Sequence, residues 1–321
     1  IRDGIPFSGN LEFHSKFVPG LNPPVSTEAA SAQQNAIADE LRRLEALAAP
    51  LTAEQTARWN EQFRQALKEP DGCQRLDEYW WKNCDGSFFA LPVDWTLLRD
   101  AKIENYNIEA LKALRDYLAC QGVQLIIQVI PDLHDIAARV MFPAMREVPD
   151  LRSLTVTEQL LRENIEAIYC SDRLVNHYRD AEMMFFYPDN GHPHDGCQAL
   201  LAPMLKERLS RYGEALNSPR LEQKDFAVRT QNIDNGRPVT WPAGVDIGSH
   251  HPGEAMTAHY LYYKGNFLSG DRNSKVLVIG NSYIQSPMPK SAYISYLGYS
   301  SGIAADELCT NGFGPVIALV K

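Results

Sequence analysis

Short apolar runs alternate with stretches of helical period from residue 98 to 321, and this alternation restricts the fold more than any other feature of the chain. VQLIIQVI (123–130) and SKVLVIGNSY (274–283) hold near-continuous apolar runs, as a strand covered on both faces by helices would. EMMFFYP (182–188) reads the same way. Between and around these runs, NIEALKALRDYLACQG, LTVTEQLLRENIEAIYC and DGCQALLAPMLKERLSRYG have helical period, and the first and third close at Gly122 and Gly213. GIAADELCTNGFGPVIALV adds a further helix or strand and a turn. Helices alternating with buried strands predict an α/β domain with a mostly parallel sheet.

Ahead of this region, STEAASAQQNAIADELRRLEALAAP predicts a helix with Ser26 or Thr27 as cap and a stop at Pro50. TAEQTARWNEQFRQALKEP opens with a Thr52-x-x-Gln55 capping box and stops at Pro70. The expected organisation is an N-terminal arm and helical hairpin over 1–97, packed on a main domain over 98–321. Residues 214–273, rich in Asn, Gly, Pro and Asp, are expected as an irregular insertion bordering the active site.

With 321 residues and 45% apolar content, the chain can bury an ample core. Its formal net charge of -9 argues against broad nucleic-acid binding. No apolar run approaches the roughly 18 residues of a membrane span. The chain starts at Ile1 rather than Met, as expected of a processed product from which a signal or anchor segment has been removed. Six cysteines permit disulfides, Cys73 and Cys84 being the best local pair, and an exported, oxidising compartment is expected.

Three segments carry candidate chemistry. KVLVIG runs straight into Gly280-Asn281-Ser282, and a serine at the carboxyl end of a buried strand presents its hydroxyl where open sheets bind ligands. A helix starting after it would favour a developing negative charge. YPDNGHPHDGC (187–197) also follows an apolar run. There Asp189 can hold the His192 imidazole in the tautomer that takes a proton from a serine, and Asp195 can cap the helix that follows. The same stretch admits a metal site of His192, His194 and Asp189 or Cys197. It also admits a plain polar loop. TNGFGP (310–315) places Gly312 and Gly314 where backbone amides can approach an oxyanion, or it is an ordinary turn.

Taken together these segments resemble the SGNH/GDSL hydrolases. Asp189, His192 and Pro193 look like their last block, VLVIGNSY like the serine block with Ser282 as nucleophile, and GFGP like the glycine block. The Asp/His block comes first, an order similar to that of the circularly permuted alginate O-acetyltransferases of the AlgJ/AlgX type. LIIQVIPDLHDIAARVMFP also resembles their strand-plus-proline segment. The resemblance covers roughly 98–321 and leaves the N-terminal hairpin outside. The alginate enzymes carry Asp-x-His where this chain has Asp189-Asn-Gly-His192, so His194 stays a rival base.

The resemblance implies a three-layer α/β/α sandwich of SGNH type. It implies a Ser282–His192–Asp189 triad, with Asn281, Tyr283, Gly312 and Gly314 at the oxyanion or substrate, and no cofactor or metal. The implied reaction is O-acetylation of an exported polysaccharide through an acyl-serine, in the periplasm, with the acetyl group delivered by a membrane acyltransferase. The alternatives are a carbohydrate acetyl esterase, a metal-dependent hydrolase using His192, His194, His250 and His251, and a polysaccharide-binding scaffold without activity. Trp80, Trp81 and Tyr283 offer rings for sugar stacking, although the two tryptophans better suit packing in a core or hairpin.

Overall fold

The computed structural model describes residues 26–49, 52–68, 74–75, 80–82, 88–90, 105–131, 136, 139, 148–177, 195–213, 217–233, 256–280, 284, 292–309 and 316–320. In chain order the elements are α1 (Thr27–Ala48), α2 (Ala53–Lys68), β1 (Gln74–Arg75), β2 (Trp80–Lys82), β3 (Phe88–Ala90), α3 (Asn105–Cys120) and β4 (Gln124–Val129). They continue with α4 (Leu151–Arg162), β5 (Glu166–Tyr169), α5 (Ser171–His177), α6 (Asp195–Leu209), β6 (Phe226–Ile233), β7 (Met256–Tyr263) and β8 (Asn266–Phe267). The last are β9 (Val276–Gly280), α7 (Ala292–Ser301), β10 (Asp306–Cys309) and β11 (Val316–Val320). Among the described residues no helix is long and apolar enough to cross a membrane.

The main sheet has the order β10-β9-β11-β4-β5. Its pairs β10–β9 and β4–β5 are parallel, whereas β11 is antiparallel to both β9 and β4. The sheet is therefore mixed, where the apolar runs predict a mostly parallel one. The reason lies in connection length. A strand that re-enters the sheet parallel to the one before it needs a crossover of about a dozen residues or more, and only 310–315 separate β10 from β11, which lies on the other side of β9.

Two apolar cores lie on opposite faces of this sheet, because successive strand residues point to opposite sides. Ile126, Ile168, Val276 and Val278 face one core, with Leu201 and Leu205 of α6 and Tyr293 and Leu297 of α7. Leu125, Ile127 and Ala167 face the other, with Ile37 of α1, Ile108 of α3 and Leu154 and Leu160 of α4.

The segment LTVTEQLLRENIEAIYC, expected as one helix, divides into α4 and strand β5. Asn164 takes φ 57° between them. Its amide donates to Leu161 O and that of Ile165 to Leu160 O, a Schellman closure. Helix α3 ends in the same way. Gly122 sits at φ 71°, its amide on Ala119 O and that of Val123 on Leu118 O. Each closure feeds directly into a buried strand. Residues 214–273, expected as irregular, contain the antiparallel sheet β6-β7-β8. The run EMMFFYP lies outside the described residues.

Helix α1 begins at Ser26, whose hydroxyl accepts from the Ala29 amide, and Thr52 caps α2 through the Gln55 amide. Ile37 and Leu44 of α1 lie in the second core, and Trp59 of α2 packs against the first. β5 is an edge strand, and α1 covers its open edge with side chains. Glu40 accepts from the Tyr169 amide at 3.1 Å, and Arg43 donates to the Tyr169 carbonyl at 3.0 Å. Arg43 also pairs with Asp172, and the buried Arg208 of α6 donates to Glu40 and to the Ala36 carbonyl. Unpaired edge groups are thereby satisfied within the chain.

Glu166 at the start of β5 lies beneath this network, fully buried. It accepts from the Tyr212 hydroxyl, and Arg208 stands 4.0 Å away. Burial raises its carboxyl to about 7, outweighing both neighbours, which favour the ionised form. In the folded protein Glu166 keeps its proton up to about pH 7, whereas in the unfolded chain it releases it near 4.5. Its contribution to stability is therefore fullest below that lower value and is lost as pH rises through the upper one. Thermal unfolding of Glu166→Gln should show a flatter fall in melting temperature between pH 5 and pH 8 than the parent chain. An identical pH slope in both would contradict this ionisation.

Candidate active site

Gly280 ends β9, and its register partner in β10 is Cys309, which ends that strand. On the other side of β9, Ile317 pairs with Ile279, so Val316 stands level with Gly280. Val316 in turn pairs with Gln128 near the carboxyl end of β4. The chain thus leaves β9, leaves β10 and enters β11 at one edge of the sheet. This is the carboxyl edge of the four strands that share a direction, where ligands bind in open α/β sheets.

The candidate residues Asp189, His192, His194, Asn281, Ser282, Tyr283, Gly312 and Gly314 lie outside the described residues. So do Cys73, Cys84, His250 and His251. Their described neighbours are Gly280, Ile284, Cys309, Val316 and Asp195.

Gly280 is required by packing. A Cβ placed there would stand 2.9 Å from each of three side-chain carbons of Ile284, a fully buried residue four positions on. Gly280→Ala should destabilise the fold by about 1–3 kcal/mol, the usual cost of overpacking a core. Combining it with Ile284→Ala should cost less than the sum of the two single changes, as read from denaturant unfolding. Strict additivity would mean that the two residues do not compete for this space.

Two polar bridges, one buried and one part-buried, tie the helices that follow the candidate blocks. The first runs through Gln128 of β4. The Tyr293 hydroxyl of α7 donates to Gln128 Oε1 at 2.5 Å, and Gln128 Nε2 donates to the Leu201 carbonyl of α6 at 2.9 Å. Gln128 and Tyr293 are both buried, so each spends its polar atoms on the other elements rather than on water. The second runs through His259 of β7. Asp195, the first residue of α6 and fully buried, accepts on Oδ2 from the His259 amide at 2.6 Å and faces His259 Nδ1 at 3.1 Å. The His259 carbonyl accepts from the Tyr296 hydroxyl of α7 at 2.8 Å. A carboxylate only accepts, so the proton of the ring sits on Nδ1.

Asp195, expected as the cap of this helix, is its first residue and anchors β7. The sequence carried a faint signal for this in HYLYYKGN, where His259 precedes an aromatic strand pattern, but nothing local links it to Asp195 across 64 positions. Cys197 is a free thiol with no exposed surface inside the first core, and burial pushes its pKa well up, as it pushes Cys170 up to about 12. Thiols buried in apolar surroundings in this way serve as packing residues. Among the described residues no group of three His, Cys, Asp or Glu side chains is placed to hold a metal.

No family model and no curated protein matches the chain. Among solved structures it is similar to the O-acetyltransferase domain of Pseudomonas putida AlgJ, with 14% identity and a TM-score of 0.47 over 76% of this chain and 81% of that one. It is also similar to Pseudomonas aeruginosa AlgX, with 15% identity and a TM-score of 0.45 over 69% of this chain and 53% of that one. The match thus spans about half of AlgX. A third similar structure is Bacillus cereus PatB1 with a sulfonyl adduct, at 11% identity and a TM-score of 0.40, covering 74% of this chain and 87% of that one. AlgJ and AlgX are the proteins whose order of motifs the sequence resembles.

Proposed function

We propose that the chain is a serine-dependent O-acetyltransferase of SGNH-like, three-layer α/β/α architecture, acting on an exported polysaccharide in the periplasm. The observation that carries this reading is the common edge of Gly280, Cys309 and Val316. Ser282 is two residues beyond Gly280, and Gly314 is two residues before Val316. A chain reaches at most about 7 Å in two residues, which supports reading the two blocks as parts of one site. The Asp/His block ends at Asp195, which is tied through His259 to the helix following the serine.

In the proposed reaction the Ser282 hydroxyl attacks the carbonyl carbon of an acetyl ester while His192 takes its proton. Asp189 holds the imidazole and stabilises its charge. Backbone amides at Ser282 and at Gly312 or Gly314, with the Asn281 side chain, stabilise the oxyanion, and Tyr283 borders the substrate. The tetrahedral species collapses, the donor alcohol leaves with the proton from His192, and an acetyl-serine remains. A sugar hydroxyl then gives its proton to His192 and attacks the acetyl carbon. Ser282 Oγ departs and recovers the proton. The donor is an acetyl group handed over by a membrane acyltransferase.

Hydrolysis of a small acetyl ester should fall about 10⁴-fold or more in Ser282→Ala and in His192→Ala, with folding intact by circular dichroism. His194→Ala should stay within about threefold of the parent, since the rival base is not used in this scheme. Unchanged hydrolysis in Ser282→Ala would refute the triad. Mass spectrometry of an oligosaccharide acceptor should show added acetyl groups, whereas release of acetate to water alone would make the protein an esterase.

A further inference from the structure

His259 occupies a position that the catalytic scheme does not use, yet the elements on either side of it are those that follow the two halves of the proposed triad. Helix α6 follows the Asp/His block and begins at Asp195. Helix α7 follows the serine block and carries Tyr296. Three atoms of His259 are spent on these helices: its amide and Nδ1 on Asp195, its carbonyl on Tyr296.

The environment gives these bonds weight. Asp195 has no exposed surface, and Tyr296 is buried. A charge-assisted bond in such a place is stronger and more directional than one in water. The strand also holds His259 in fixed register, since Thr230 of β6 pairs with it and Leu261, two residues on, is packed into the first core. The imidazole can therefore neither turn away nor slide along the strand without breaking a bond to α6 or α7. By contrast, the other bridge between the two helices, through Gln128, meets α6 at Leu201, six residues further along. One helical residue rises about 1.5 Å, so the Gln128 bridge acts about 9 Å along the axis from Asp195. Of these two bridges between α6 and α7, the His259 bridge is the one at the end of α6 that adjoins the Asp/His block.

We propose that His259 is a positioning residue for the acyl transfer: it fixes the start of α6 against α7, the helices that follow the blocks carrying His192 and Ser282. This rests on the triad reading above. The bond from Nδ1 to Asp195 is the part of the side chain that matters, and Nε2 takes no part in the chemistry. A misplacement of about 1 Å between catalytic groups costs about 100-fold in rate, so a loosened helix start registers in acylation before it registers in binding.

The test is the rate of acetyl-serine formation with a chromogenic acetyl ester, measured in single turnover on the full chain. His259→Ala should slow acylation about 10- to 100-fold. The Michaelis constant should stay within about twofold, and far-ultraviolet circular dichroism should be unchanged. His259→Asn places an amide nitrogen where Nδ1 stands and should recover most of the lost rate. His259→Gln, whose amide reaches the Nε2 position instead, should not. Tyr296→Phe, which removes the donor to the His259 carbonyl, gives an independent route if His259→Ala unfolds, and it should also slow acylation without changing the Michaelis constant. Recovery by Gln but not Asn, or no slowing in either His259→Ala or Tyr296→Phe, would overturn the proposal. Ser282→Ala run alongside separates the two readings. Loss of acylation there with normal acylation in His259→Ala defeats the positioning role alone, whereas retained acylation in Ser282→Ala defeats the triad on which it rests.

Discussion

The antiparallel strand β11 is the constraint on which the candidate site depends. It lies between β9 and β4, pairing Ile317 with Ile279 on one side and Val316 with Gln128 on the other. Without it the two parallel pairs β10–β9 and β4–β5 would have no hydrogen-bonded connection. Because β11 runs backwards, its entry point is at the carboxyl edge of its neighbours. A parallel strand in the same slot would have entered at the far edge. The glycine-bearing segment 310–315 is bounded by Cys309 and Val316, which flank the end of β9. The direction of one five-residue strand thus decides that the ends of β9 and β10 and the start of β11 share an edge.

Holding that edge in place falls to buried polar groups rather than to apolar packing alone. Apolar contact is non-directional and tolerates small slides between helices. The bridges through Gln128 and His259 do not, because each lost bond would leave a buried polar atom without its partner, at a cost of about 1–3 kcal/mol. At the far edge of the sheet the Glu40–Arg43–Arg208 network plays a comparable part. There α1 closes the exposed side of β5 and removes a template for pairing with other chains. The same region carries Glu166, whose carboxyl is held by burial in the protonated form up to about pH 7.

Elements with local signals were legible in the sequence. Ser26 and Thr52 announced their helices through cap chemistry, Gly122 marked the end of α3, and VLVIG is apolar enough to be read as a strand without context. Strand β5 was hidden because the residue that closes the preceding helix is Asn164, which adopts the left-handed region that Gly122 adopts without being a strong punctuation mark. The reversal of β11 was recoverable from the short 310–315 connection but not from its apolar pattern, which is the same in either direction. The antiparallel sheet β6-β7-β8 was missed since Asn, Gly and Pro around it dominate the composition of 214–273. Of the candidate site, the three chemical blocks could be read as motifs. His259 could not, because its partners Asp195 and Tyr296 are 64 and 37 positions away.

The central claim is that Ser282 is a nucleophile served by His192 at the carboxyl edge of the sheet. Reaction with a serine-directed phosphonylating reagent, followed by peptide mapping, tests it most directly. The account predicts a single covalent adduct on the peptide containing Ser282, formed rapidly in the parent chain and lost in His192→Ala. An adduct on a different residue, or one on Ser282 whose rate is indifferent to His192→Ala, would contradict it.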